Sequence, residues 1–203
     1  MSPMVKDQNT KGILYIMTGM AFFSIQDSLI KFIYNDIALF ELYFIRTIIQ
    51  ASLLLALVLI TKRKVSFKTH YPLLTLLRVV CFFFGFSFFY ISLTFMTLAM
   101  TSALFFSCPF FMSMFAKFFL KEQIGIRRWS AIVVGFIGVI IVLNPTLEEF
   151  NFLKLAPVAC AICYAISMTI TKYTSDKDDI YTQMYWLYVF DISAGIIIFL
   201  VSG

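Results

Sequence analysis

Six charged side chains stand inside long apolar stretches of this sequence: Asp27, Lys31, Glu41, Arg46, Arg78 and Asp191. A charge near the middle of a bilayer costs about 3 kcal/mol on insertion scales, so each must face protein or water and find a partner. Three are cations and three are acids, so the set is balanced. Such a set can hold the two poles of a zwitterion, or carry a proton across an apolar region. It is not a catalytic constellation. The sequence has no Gly-rich phosphate loop, no Ser/His/Asp set and no cluster of metal ligands. Neither an enzyme nor a cofactor is expected.

Arg46 is the deepest cation. It lies nine residues into its stretch, about 13 Å at 1.5 Å per residue, in an apolar core about 30 Å thick. Gln50 follows one turn later on the same face. Asp191 is equally deep in the last stretch. It is the natural partner for Arg46, or else a protonatable coupling site, and sequence leaves both open. Asp27 and Lys31 are four apart with the acid first, the favourable order for a helical pair. They either satisfy each other or line a substrate route together with Gln26. Arg78 is near enough to its helix end to snorkel out. Glu41 lies near an interface. Tyr164 carries a polar tip on a ring that can stack on a planar ligand, although interface anchoring is the ordinary use of such a ring.

The elements that position these groups follow from composition. Of the 203 residues 61% are hydrophobic and 13% charged, against about 45–50% and about 25% for an ordinary globular chain. Too few polar side chains are present to cover a water-soluble surface. Twenty-five Phe exclude disorder, eight Gly exclude collagen, and four Cys exclude a disulfide scaffold. About 20 apolar residues span a bilayer as a helix. Seven stretches qualify, at roughly 13–34, 37–61, 72–93, 97–120, 128–144, 153–173 and 182–201. The expected fold is an all-α integral membrane protein with loops short enough to make successive helices antiparallel neighbours. Most of the 16 basic residues fall in alternate loops, around 62–68, 121–128 and 172–177. This skew predicts a cytoplasmic N-terminus and excludes a nucleic-acid surface. Cys81, Cys108, Cys160 and Cys163 fall inside spans and read as packing residues. His70 stands alone in a basic loop. Pro109 sits in mid-span and must interrupt its helix. Ala131 and Gly135 have the spacing of a close helix crossing.

The Asn144-Pro145 stop divides five stretches from two. The two parts are alike: Ser24 to Lys31 and Ala165 to Lys172 both close a span on lysine, acids follow (Asp36; Asp176), and then comes a Tyr/Phe-rich span. Five crossings would invert the second part relative to the first, a plan common to secondary transporters.

Several motifs then combine. They are Lys31 closing the first span, Leu39-Phe-Glu-Leu-Tyr-Phe-Ile-Arg46, the run Leu98 to Pro109, Phe118-Phe-Leu-Lys-Glu122, Arg128-Trp129 and Gly135-Phe-Ile-Gly138. In this combination the chain resembles EamA-type permeases of the drug/metabolite transporter superfamily. The resemblance implies one five-helix repeat (12–144) and the first two helices of an inverted second repeat (153–203). Family members of this type usually have ten spans, so the chain is expected to be truncated. The function implied is a permease moving a small organic metabolite by alternating access. The metabolite would be zwitterionic or weakly charged, such as an amino-acid-like compound, a flavin or S-adenosylmethionine. The alternative is a non-transporting fragment or subunit that needs a partner, a homodimer included, to complete the fold. The expected location is the bacterial inner membrane.

Overall fold

The computed structural model describes residues 3–33, 39–62, 66–123, 125–143 and 152–202. Among them every regular element is helical: α1 (Pro3–Ile33), α2 (Leu39–Thr61), α3 (Pro72–Ser92), α4 (Leu98–Phe105), α5 (Cys108–Phe119), α6 (Ile126–Leu143), α7 (Ala156–Thr174) and α8 (Ile180–Ser202). A 3₁₀ turn, Phe152–Leu155, leads into α7. This is the all-α membrane architecture expected. Gly12–Phe32, Phe44–Thr61, Pro72–Ser92, Leu98–Phe119 and Leu153–Thr174 are long and apolar enough to cross a bilayer. Helices α6 and α8 fall at the two other expected positions. The Asn144-Pro145 stop and Asp36 lie outside the described residues.

Two boundaries differ from expectation for clear reasons. Helix α1 starts at Pro3 instead of 13. Proline suits the first helical position, and the polar residues between Pro3 and Lys11 include no breaker. The fourth stretch is two helices. Thr97 caps α4, accepting from the Met100 N–H at 3.3 Å. At its end the Ser107 N–H bonds to the Leu104 carbonyl at 3.1 Å, a tightened last turn. Helix α5 then restarts with Pro109 in its first turn, where a missing N–H is tolerated.

The chain divides into two compact units, Met1–Ala38 and Leu39–Gly203. The first holds α1. In the second, α3 packs most extensively on α7, and α2 on α8. The α3–α7 crossing is close because its residues are small. Ala161 and Ala165 are fully buried on α7, one turn apart. On α3, a Cβ at Gly85 would already lie 3.4 Å from the Cys163 Cβ and 3.5 Å from the Cys160 carbonyl. Around Cys108, Ala161 and Ala165 the aromatic residues Phe105, Phe111, Phe115 and Tyr164 complete the core. The α2–α8 contact is tighter still. A Cβ at Gly195 would sit 2.6 Å from the Phe44 ring.

The close crossing expected at Ala131 and Gly135 is absent among the described residues. A Cβ at Gly135 or Gly138 would meet nothing within 4 Å. Phe110 of α5 meets Trp129 and Phe136 of α6, with ring centroids 6.0 and 6.2 Å apart. These rings hold the two backbones apart, so small residues there leave a groove.

Candidate functional site

Arg46 is seated against α3. Its guanidinium carbon lies 4.2 Å from the centroid of the Phe86 ring, a cation–π contact. One guanidinium nitrogen donates to the Tyr90 hydroxyl. Phe86 and Tyr90 are one helical turn apart and share a face. Both are buried, at 7% and 3% exposure. The Arg46 Nε–H is buried and makes no hydrogen bond among the described residues. Guanidinium has five donors and cannot deprotonate in a protein, so a buried unused N–H is an unmet demand for an acceptor. Gln50 follows one turn later on α2 and is half-buried.

Asp191, 3% exposed, supplies the opposite charge from α8. Tyr188, nearly one turn before it, lies in electrostatic range of both Arg46 and Asp191. Arg78 on α3 lies in electrostatic range of the same carboxylate and of Asp178. Snorkelling to the interface was expected of Arg78. Instead it is 4% exposed and donates to the Gln183 backbone carbonyl, because the first turn of α8 lies across its path. The site is thus a seam of α2, α3 and α8 in which two guanidinium groups, one carboxylate and two phenols share a mostly aromatic surround.

Tyr164 is on α7, away from these charges. Its ring lies 6.1 Å from Phe82 and 5.6 Å from Phe105, and Phe82 in turn meets Phe86 at 4.8 Å. It supports the aromatic wall. Gln26, Asp27 and Lys31 occupy consecutive turns of α1 in the first unit, with Asp27 and Lys31 four residues apart.

Sequence reasoning missed the cluster that closes one end of the seam. His70 is not alone. Asp178 accepts from the His70 N–H at 3.0 Å, and its carboxylate lies 2.9 Å from the His70 Nδ1. The Thr69 hydroxyl also donates to Asp178, and lies 3.0 Å from the Thr75 hydroxyl. Burial alone would raise the Asp178 pKa. The hydrogen bonds from Thr69 and His70 outweigh it and hold the carboxyl below its ordinary value. Gln183 adds a bond to the Asp178 carbonyl at 3.1 Å. Nearby, Lys172 at the end of α7 pairs with Glu122 beyond α5. No local pattern announces contacts across 108 residues. The available signal was three acids in the loop before α8, Asp176, Asp178 and Asp179, more than a solvated turn needs.

The sequence profile of the EamA-like transporter family matches residues 10–144. The chain belongs to that family, and so to the drug/metabolite transporter superfamily. It is 30% identical over 175 residues to an S-adenosylmethionine uptake transporter of Rickettsia bellii, covering 86% of this chain and 60% of that protein. It is 31% identical over the same length to the S-adenosylmethionine uptake transporter of Rickettsia felis. A riboflavin transporter of Rhizobium johnstonii is 33% identical over 124 residues, covering 61% of this chain and 41% of that protein. The chain spans about 60% of the length of the S-adenosylmethionine transporters it matches. No solved structure matches it.

Proposed function

We propose that this chain contributes the binding seam of a secondary transporter that moves a small zwitterionic or weakly charged metabolite by alternating access. The single observation that carries the reading is Arg46. It is a guanidinium seven residues into α2, stacked on Phe86 and tethered by Tyr90, with one buried N–H still unused. A substrate carboxylate supplies the acceptor that this N–H lacks. Asp191 then takes a cationic group, and the Phe86–Tyr90 wall takes a planar part. S-adenosylmethionine has all three features: a carboxylate, an ammonium and sulfonium, and an adenine ring. The relatives with the widest coverage are named for its uptake, which supports this choice over riboflavin. The family's inverted plan supports two units, 12–144 and 153–203, and the basic residues around 62–68, 121–128 and 172–177 support an N-terminus in the cytoplasm of a bacterial cell.

The test is binding and uptake of labelled S-adenosylmethionine in proteoliposomes, with riboflavin as the comparison. Losing a charge-assisted contact of about 1.5–3 kcal/mol should weaken binding at least tenfold in a folded Arg46→Leu variant. Unchanged binding by such a variant rules the reading out. A second reading is favoured by the 60% coverage of the relatives: this chain is a subunit completed by a partner, such as a second copy. Uptake that appears only when a covalent dimer is reconstituted selects that reading. Uptake by monodisperse single chains rejects it.

A further inference from the structure

One end of the α2–α3–α8 seam is tied shut by polar contacts between segments far apart in the chain. The segment before α3 supplies Thr69 and His70, and the segment between α7 and α8 supplies the buried Asp178. The Thr69 hydroxyl, the His70 N–H and the His70 ring all meet the Asp178 carboxylate. Behind it, the Gln183 amide donates to the Asp178 carbonyl at 3.1 Å, and Arg78 of α3 donates to the Gln183 carbonyl. Phe67 meets Tyr185 of α8 beside these bonds, with ring centroids 4.9 Å apart.

Directly inside this clasp, α3 and α8 leave a crevice of about 260 Å³. Thr69 and Thr75 line its clasped end, and Val79, Trp186 and Phe190 line the rest. The charges of the seam lie further from the clasp. Arg78 is six residues into α3, Asp191 eleven residues into α8, and Arg46 fifteen residues before the end of α2. At 1.5 Å per residue these are about 9, 16 and 22 Å from the clasped end. Arg46 thus stands toward the opposite end of the seam.

Two properties of the clasp suit a moving part. The hydrogen bonds to the Asp178 carboxylate come from two adjacent residues, so releasing it frees the segment before α3 at once. The α3–α7 packing around Gly85, Ala161 and Ala165 involves none of these residues, so it can stay fixed while the clasp parts.

We propose that Asp178 is the latch of a gate: bound to Thr69 and His70 it shuts this end of the seam, and its release opens the α3–α8 crevice toward Asp191. The gate rests on the transport reading above, whose orientation puts this end in the cytoplasm.

The test uses the full chain in sealed inside-out vesicles. A charged, impermeant methanethiosulfonate is added to the cytoplasmic face, and modification of Val79→Cys, a buried crevice position, is read by peptide mass spectrometry apart from the native cysteines. Modification should be slow with the latch intact. Thr69→Val removes one hydrogen bond, worth about fivefold in an equilibrium, and should speed modification about that much. Asp178→Asn should speed it at least tenfold. Unchanged rates in both variants overturn the gate. Equal acceleration at Cys108, buried in the α5–α7 core, also overturns it, since the fold would then have loosened generally. In a second arm Phe67→Cys/Tyr185→Cys is joined by a reducible crosslinker. Uptake of labelled S-adenosylmethionine should cease, binding from the opposite face should persist, and reduction should restore uptake. Full uptake by the joined protein overturns the gate. A wild type that neither binds nor moves S-adenosylmethionine overturns the transport reading instead, and the modification rates still decide the gate.

Discussion

Helix α3 faces two seams built on opposite principles. Toward α7 it meets small residues, Ala161 and Ala165, and brings its own glycine, Gly85, so that backbone approaches backbone. Toward α2 and α8 it carries Arg78, Phe86 and Tyr90; it meets Arg46 and lies in electrostatic range of Asp191. In lipid, close packing of small residues stabilises association with no polar group at risk. Buried charges do the reverse, because each one holds the seam together only while its partners stay in place. On the proposed function, the α3–α7 seam is the framework and the charged seam does the work. A transporter needs both, since a moving interface must move against something fixed.

The largest effect should come from the charged seam. Arg46→Leu and Asp191→Leu should each lower the amount of folded protein and its thermal stability, by about 3 kcal/mol. If the two residues only neutralise each other, the double variant should recover much of that loss and binding should return with it. If Arg46 also holds the substrate, folding recovers and binding does not. In that second case Arg46→Lys should also bind poorly, since an ammonium lacks the planar fork and the stacking surface. Two singles of wild-type stability would dissolve the contrast between the seams.

The next effect sharpens the framework side. Gly85→Leu adds atoms beyond a Cβ that is already 3.4 Å from Cys163, so it should cost about 2 kcal/mol through overpacking. Gly135→Leu has open space at its Cβ and should cost far less, even though sequence spacing marks Gly135 as a close-crossing residue. Melting temperature in detergent measures the difference. Equal losses would mean that α6 is as tightly seated as α7.

Much of this was legible before the structure. All seven apolar stretches fall on helices, since twenty lipid-compatible residues have few other options. The Pro109 interruption was legible because proline acts locally. Arg46 and Asp191 stood out because a charge is rare at that depth. What sequence withheld was partnership. Tyr90 looked like one aromatic residue in a crowd, yet it anchors Arg46. Arg78 looked free to snorkel until α8 was placed across it. Ala131 and Gly135 had the right spacing but the wrong neighbours, because Phe110 and Phe136 intervene. Spacing encodes which residues share a face, and not what that face meets.

A smaller effect concerns the end of the charged seam and depends on pH. Asp178 titrates below the ordinary carboxylate value, about 3.9, when folded. Its contribution is therefore fully present above that value and is lost as pH falls through the lower folded pKa. Melting temperature should decline between about pH 4 and the acid limit of the folded state. Asp178→Asn should flatten that decline. At neutral pH it should cost about 1–2 kcal/mol, since charge-assisted bonds from Thr69 and His70 become ordinary ones. A decline that survives Asp178→Asn unchanged would place the acid sensitivity in other carboxylates.

The smallest effect is the most discriminating about how Arg46 is held. Tyr90→Phe removes one hydroxyl and keeps the ring. The stack on Phe86 at 4.2 Å is untouched, so the guanidinium stays near its place. The lost bond should cost about 1 kcal/mol of stability. Binding separates two roles for that hydroxyl. If Tyr90 only fixes the angle of the fork, the guanidinium gains freedom and a second unused N–H. Affinity should then fall by a few fold through lost preorganisation, with dissociation faster and association unchanged. If the hydroxyl itself touches the substrate, the fall should approach that of Arg46→Leu. If Tyr90 acts only through Arg46, the double variant should be no worse than Arg46→Leu alone; if the hydroxyl touches the substrate, it should be worse. Stopped-flow binding on Tyr90→Phe, Arg46→Leu and their combination distinguishes the two. Full additivity would show that Tyr90 and Arg46 act on the substrate independently, and the seam would then be two sites instead of one.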